Sequence, residues 1–329
     1  MATVNNAALN VIKVNRAGWW KKWIALALCL MTQMALAETV EQKTFASPEE
    51  GISALVDAVR THNQAKMSEI LGPKGDMLIN SGDEVSDKKG RESFLKAYTQ
   101  SHRLQIDSVK QVTLVIGNNG WPLPIPLVKT DKGWLFDTDQ GDDEILARRI
   151  GRNELSAVQV MLEITDSQRE YAALNRSEEG KPVYAARIIS TPGKHDGLYW
   201  PTSGNEPVSP IGELLAAAAD EGYTGDSSFQ TAPYHGYLFR ILSSQDKSAK
   251  GGAYDYVENG RMTRGFAAIG YPARYGASGV MTFMVNHDGQ VFEKNLGSDT
   301  EKIAARMKAF DPDSSWRPVD AVVKTNPVR

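Results

Sequence analysis

The sequence predicts an α+β fold, and three observations carry that reading. Apolar residues recur at helical spacing between capping signals over residues 47–101. The pattern then changes to short β-branched runs. A single long helical stretch near residues 142–176 separates those runs from a second series of strands and turns. Helices with a small curved antiparallel sheet are expected to form an N-terminal domain, residues 45–150. The long helix with a second antiparallel sheet is expected to form a C-terminal one, residues 151–317.

Ser47-Pro48-Glu49-Glu50 opens the first helix. Serine caps, proline suits the first turn, and Glu50 closes a capping box. Ile52, Leu55, Val56 and Val59 then repeat at helical spacing. A second short helix with Met67, Ile70 and Leu71 ends at Gly72-Pro73. A third, over residues 91–101, carries Phe94, Leu95 and Tyr98 on one face. Val112-Thr-Leu-Val-Ile116 is the first strand signal, and residues 123–129 and 134–137 flank a turn at Thr130-Asp-Lys-Gly133. Pro122, Pro124 and Pro126 place the middle strand on a sheet edge, because proline has no N–H to donate to a ladder.

The long helix carries Ile145, Leu146, Leu155, Val158, Leu162 and Tyr171 as its apolar stripe, with Gly151 as a kink point. A strand over residues 183–190 and a glycine- and proline-rich loop lead to a short helix. Ser209-Pro210 opens it, and Leu214, Leu215 and Ala218 give it an apolar face. Residues 236–242 and 265–271 are strands. Residues 280–285 pair with 290–294 across Asn286-His-Asp-Gly289, where Asp-Gly favours a tight hairpin. Ser298-Asp-Thr-Glu301 is a second capping box, opening a helix to Ala309, and residues 318–329 are a polar tail.

Residues 1–37 read as a signal peptide, so the rest of the chain is expected in the periplasm or outside the cell. Lys13, Arg16, Lys21 and Lys22 make a basic start, and an apolar run from Trp23 to Met31 follows. Ala35-Leu-Ala37 then offers small side chains to a signal peptidase. The apolar run is shorter than the about 20 residues a transmembrane helix needs. Cys29 is the single cysteine and lies in this leader, so the mature chain is expected to have no disulfide and no thiol nucleophile. Removing the leader's four bases takes the net charge from −3 to about −7. No dense basic run follows that could track a nucleic-acid backbone, and no second long apolar segment follows the leader. Neither nucleic acid nor a membrane span after signal cleavage is expected.

Five histidines, His62, His102, His195, His235 and His287, are the first candidates for acid–base work. His195-Asp196 would be the catalytic pair of an envelope hydrolase, since a carboxylate can orient an imidazole. The pair lies in Thr191-Pro-Gly-Lys-His-Asp-Gly197, a composition that makes a turn by itself. No metal and no cofactor are expected. There is no His-Glu-x-x-His and no cysteine pair, and Asp311-Pro-Asp313 lacks the glycine and closing glutamate of a calcium loop. Gly276-Ala-Ser278-Gly279 lacks the spacing of a serine nucleophile's turn, and Gly270–Gly279 lacks the Gly-Lys-Ser/Thr of a phosphate loop. Tyr199, Trp200, Tyr234, His235, Arg261, Tyr271 and Arg274 are expected to form a ligand-binding surface, because such side chains join contact area to hydrogen-bonding tips.

Five stretches carry a family resemblance: Ser81-Gly-Asp83, Gln168-Arg-Glu-Tyr171, Tyr234-His-Gly-Tyr237, Gly251-Gly-Ala-Tyr-Asp-Tyr256 and Ser278-Gly-Val-Met-Thr-Phe-Met-Val-Asn286. With them the chain resembles the bacterial family known as domain of unknown function 2950, from Phe45-Ala-Ser-Pro-Glu-Glu50 to Asp311-Pro-Asp-Ser-Ser-Trp316. That family has no established activity, so the resemblance implies no chemistry. The C-terminal half is also weakly similar to the heads of type II pseudopilins, through the long helix ending at Tyr171, the Gly-Tyr strands and the hairpin at Ser278–Phe283. This similarity implies a pilin-head-like fold there. Where pilins carry a Gly-Phe processing site and a long apolar helix, this chain has Ala35-Leu-Ala37 followed by polar residues. The N-terminal half is similar, in topology alone, to cone-shaped folds of the nuclear-transport-factor type.

The sequence thus points to an exported, non-catalytic envelope protein that binds another envelope protein or a cell-wall or polysaccharide component. An envelope hydrolase using His195 and Asp196 and a pilin-like assembly component are the alternatives. Mass spectrometry of periplasmic material is expected to find Glu38 at the N-terminus; full-length chain retained in membranes would contradict the leader.

Overall fold

A computed structural model describes residues 41–202, 207–223 and 232–320. The leader and residues 321–329 of the expected tail lie outside the described residues. The first helix, α1 (Pro48–Arg60), begins where its capping signal predicts. Ser47 Oγ accepts from Glu50 N at 3.2 Å, and Glu50 Oε2 reaches back to accept from Ala46 N at 3.0 Å. Ile52, Leu55, Val56 and Val59 form its buried face. Then come α2 (Gln64–Leu71), a 3-10 turn at Pro73–Gly75 and α3 (Asp76–Ile79). The next helix, α4 (Glu84–Gln100), starts well before the expected residue 91. Its first two turns carry no apolar stripe, so helical spacing is silent there, and Asp83 Oδ1 supplies the cap by accepting from Ser86 N at 3.0 Å.

The N-terminal sheet contains β1 (His102–Ser108), β2 (Gln111–Ile116), β3 (Trp121–Pro122), β4 (Leu127–Thr130) and β5 (Gly133–Phe136). All its pairings are antiparallel, in the order β1-β2-β4-β5 with β3 also on β2. The expected proline-bearing edge strand is corrected. Its residues divide into β3 and β4, and β4 lies between β2 and β5. Pro124 and Pro126 fall in the connection, so β4 keeps its N–H donors. The outer strand β1 gave no sequence signal because both of its faces are largely exposed, with Ile106 at 79% exposure.

One helix, α5 (Thr138–Leu174), spans both halves in 37 residues and runs unbroken through Gly151. Ile145 packs against the N-terminal core around Leu114, Leu127 and Phe136. Val158, Met161, Ile164 and Tyr171 belong to the C-terminal core with Phe239, Phe266 and Phe283. The buried stripe is rotated from the expected one, since Leu155 is 39% exposed and Leu162 half-buried. Gly270 permits the close approach: a Cβ there would lie 2.9 Å from the Phe239 ring and 3.3 Å from Met161 Sδ.

Beyond α5, β6 (Arg187–Ile189) and β7 (Gly197–Tyr199) pair in parallel before α6 (Gly212–Asp220). The remaining strands are β8 (Tyr237–Leu242), β9 (Ser244–Gln245), β10 (Tyr254–Asp255), β11 (Val257–Glu258), β12 (Arg261–Met262), β13 (Ala267–Pro272), β14 (Met281–Asn286) and β15 (Phe292–Asn295). After α7 (Thr300–Arg306) come β16 (Ala309–Phe310) and β17 (Arg317–Pro318). The main sheet is antiparallel in the order β17-β15-β14-β13-β8, with the predicted hairpin in the register Met281 opposite Asn295. Two expectations are corrected here. The expected capping box is not formed: no side chain caps α7 at its start, and Thr300 Oγ1 donates to Gly297 O at 2.6 Å; the helix ends at Arg306, where Arg240 Nη2 donates to Ala304 O and Met307 O, both at 2.7 Å. Pro318 and Val319 are not loose, for β17 pairs with β15 and Val319 is buried.

The two cores sit in one compact α+β unit running from Glu41 onward. Among the described residues no helix is long and apolar enough to cross a membrane. Ile164 is fully buried, so Ile164→Ala is expected to cost about 2–5 kcal/mol in urea unfolding. Leu155→Ala on the exposed side of the same helix is expected to change stability by about 0.5 kcal/mol or less. Equal losses would contradict this orientation of α5.

Candidate functional site

Asp83 is buried, with a carboxylate that needs several donors. Besides capping α4, its Oδ2 accepts from Tyr223 OH at 2.9 Å and from Gly236 N at 2.7 Å. Burial, then the nearby Asp83 charge, pushes the Tyr223 hydroxyl well above its ordinary range, so it stays a donor. His235 and Gly236 turn the chain here with φ of 46° and 76°. A Cβ on Gly236 would stand 2.6 Å from Asn153 Nδ2, so the position demands glycine on both conformation and space. Asn153 Nδ2 donates to Ser278 O at 2.8 Å, and Glu154 Oε1 accepts from Val280 N at 3.0 Å and Met281 N at 2.9 Å. Arg274 donates to Asn80 O at 2.6 Å and pairs with Asp76. Three of the stretches that carry the resemblance therefore meet at one joint between the halves.

The other two stretches brace the C-terminal half. Gln168 exchanges hydrogen bonds with the Ala185 backbone at 2.8 and 2.9 Å, as a neighbouring strand would. Tyr171 OH donates to His195 O at 2.6 Å, and Tyr256 OH donates to Gln245 Oε1 at 3.1 Å.

Beside the joint lies a cavity of about 760 Å³, bounded by α1, α4, α5 and the N-terminal sheet. Its apolar wall includes Leu55, Val59, Phe94, Ile116, Ile125 and Ile145. Its polar wall contains Arg91, Arg148, Arg149 and Arg152, with Asp87, Asn153 and His235. Arg149 donates to Met77 O and Leu78 O, both at 2.7 Å, and so finishes α3. Arg148 pairs with Glu144 on the same helix. Asp87 Oδ2 accepts from Ser81 N at 2.9 Å. Burial pushes the Asp87 carboxyl above its ordinary range, against the pull of Ser81, Arg149 and Arg91. Burial draws the Arg149 guanidinium below its ordinary range against the pull of Asp87, and the like charges of Arg152 and Arg274 add to that effect.

The residues singled out from sequence scatter relative to this cavity. His235 lines it, with Nε2 3.5 Å from Glu221. Tyr234 is buried next to it, stacked edge-on with Tyr223, and burial moves its hydroxyl up to about 12. Arg274 belongs to the joint. Tyr271 is half-buried in β13, and Tyr199 half-buried in β7. Trp200 is buried, with its indole N–H donating to Pro207 O at 3.0 Å. The exposed His195 ring stacks on Trp200 at 4.4 Å, while Asp196 accepts from Thr191 N at 2.7 Å and Thr191 Oγ1 at 2.8 Å. Desolvation raises the Asp196 carboxyl, but those bonds and Arg187 outweigh it and leave the group below its ordinary range. Arg261 lines a separate polar cleft of about 260 Å³ with Glu178, Lys181 and Glu258. Sequence reasoning passed over Arg91, Arg148, Arg149 and Arg152. Arg148, Arg149 and Arg152 follow one another at helical spacing, and that like-charge crowding is an available signal.

Tyr223→Phe removes one donor from the buried Asp83 carboxylate and is expected to cost about 1–3 kcal/mol in urea unfolding. Asp87 gives a pH signature. A carboxyl raised on folding adds stability that is full below its unfolded pKa of about 3.9 and is lost as pH rises through the folded value. Wild type is therefore expected to lose stability relative to Asp87→Asn as pH rises from about 4. A pH-independent difference would contradict this.

No curated protein matches the chain, and no solved structure does; the weak likeness to pseudopilin heads gains no support from them. Residues 42–319 match the family described as "Protein of unknown function (DUF2950)". The match spans both halves, the joint and the cavity, and the chain belongs to that family.

Proposed function

We propose that the protein is an exported, non-catalytic binding protein whose ligand occupies the cavity between α4, α5 and the N-terminal sheet. The observation that carries this reading is the behaviour of α4. Folded interiors leave few voids larger than a water, and a helix closing a filled core buries its apolar stripe. In α4 no residue is buried, and Phe94, Leu95 and Tyr98 are only half-covered. The helix closes over a space whose volume lies within the range of small-molecule sites, about 300–1,000 Å³. Export is inferred from the leader. A hydrolase reading draws little support from His195 and Asp196, whose side chains turn to Trp200 and Thr191 respectively. An envelope-protein partner is the second reading, favoured by the outer strand β1, where Ile106 and the adjoining Val109 are 79% and 88% exposed.

N-phenyl-1-naphthylamine, a neutral apolar fluorophore, is expected to brighten on binding the mature protein. Ala97→Trp, which fills the cavity, is expected to abolish that gain while circular dichroism stays unchanged. Equal brightening of both proteins would locate the apolar site elsewhere and defeat the reading.

A further inference from the structure

The cavity is polarised from end to end. Along α4 the lining runs from Ser86, Asp87 and Arg91 to Phe94 and Ala97, so one end is charged and the other apolar. Arg148, Arg149 and Arg152 of α5 join Arg91 in the lining, and Asp87 is the one acid among the described lining residues. The chain as a whole carries a net charge of −3, so this surplus of cations runs against its overall balance.

The four arginines are not equally committed. Arg149 is held by the carbonyls of α3, and Arg148 by Glu144. Arg91 has a buried Nε with no hydrogen-bond partner among the described residues. A guanidinium Nε–H beside an Nη–H forms the edge that carboxylates and phosphates accept from in pairs. Arg152 lines the same wall, one helical turn beyond Arg148 and Arg149, and forms no ion pair among the described residues. An apolar ligand would leave the buried Arg91 Nε without an acceptor, and a cationic one would add to the crowding. An anion satisfies both.

We infer that the ligand is a single-chain amphiphile whose anionic head, a carboxylate or a phosphate, is taken by Arg91 and Arg152 while its chain runs toward Phe94, Ala97 and Ile116. This inference rests on the binding reading above. It names the ligand's chemistry rather than the existence of the site.

The experiment displaces bound N-phenyl-1-naphthylamine from the mature protein with dodecanoate, dodecyl phosphate, dodecan-1-ol or dodecylamine. At least one of the two anions is expected to act at about tenfold lower concentration than the alcohol, as a charge-assisted pair warrants. The tighter of the two assigns the head as carboxylate or phosphate. Arg152→Gln, a substitution at an exposed position, is expected to reduce that preference several-fold, and Arg152→Lys to retain part of it. Displacement by the alcohol or the amine as effective as by both anions would overturn the inference while leaving the cavity reading intact. A wild-type preference that Arg152→Gln and Arg91→Gln both leave unchanged would overturn it equally. Failure of the fluorophore to bind at all would instead defeat the reading beneath it.

Discussion

The buried carboxylate of Asp83 is the constraint on which the arrangement of the two halves depends. Three donors converge on it from Ser86, Tyr223 and Gly236, and a carboxylate out of water is tolerable only when such donors are held in place. Each donor belongs to a different part of the chain. Ser86 opens α4, Tyr223 follows α6, and Gly236 precedes the outer strand of the C-terminal sheet. The backbone at Gly236 can present its N–H only because no side chain intrudes on Asn153. One side chain thus ties the wall of the cavity to the start of the second sheet.

The helix α5 supplies the second tie. Its early turns face the N-terminal core and its later turns the C-terminal one, while Asn153 and Glu154 in between hold the backbone at residues 278–281. The joint and α5 fix the start of α4 and the surface opposite it. The apolar stripe of α4 therefore does not have to collapse onto the sheet. A cavity persists where a helix is positioned by its cap and its neighbours rather than by the packing of its own face.

Much of this architecture was legible because burial on one face leaves a period in the sequence. The first helix, the Met281–Asn295 hairpin and the long helix all follow such patterns. What escaped lacks a one-sided environment. The strand at His102–Ser108 is wet on both sides, and the first turns of α4 bury no residue. The candidate site was less legible still. Aromatic residues advertise recognition, yet Trp200 and Tyr234 are spent on the core, while the arginines of the cavity resemble ordinary solvated charges until two helices distant in sequence are brought together. Tyr234-His-Gly-Tyr237 is distinctive as a sequence, but no local pattern relates it to Asp83.

Gly90 sits in the middle of α4, in the lining of the cavity, with no atom near enough to meet a Cβ. Glycine at a helix interior weakens it by about 1 kcal/mol relative to alanine. The flanks of α4 are secured, by Asp83 at one end and by the Ala97 carbonyl, which accepts from Ser101 N and Gly117 N, at the other. The backbone of α4 is therefore least favoured at its centre, where it lines the cavity, and held at both ends. Alanine at residue 90 would find open space, so neither packing nor a left-handed backbone requires the glycine there.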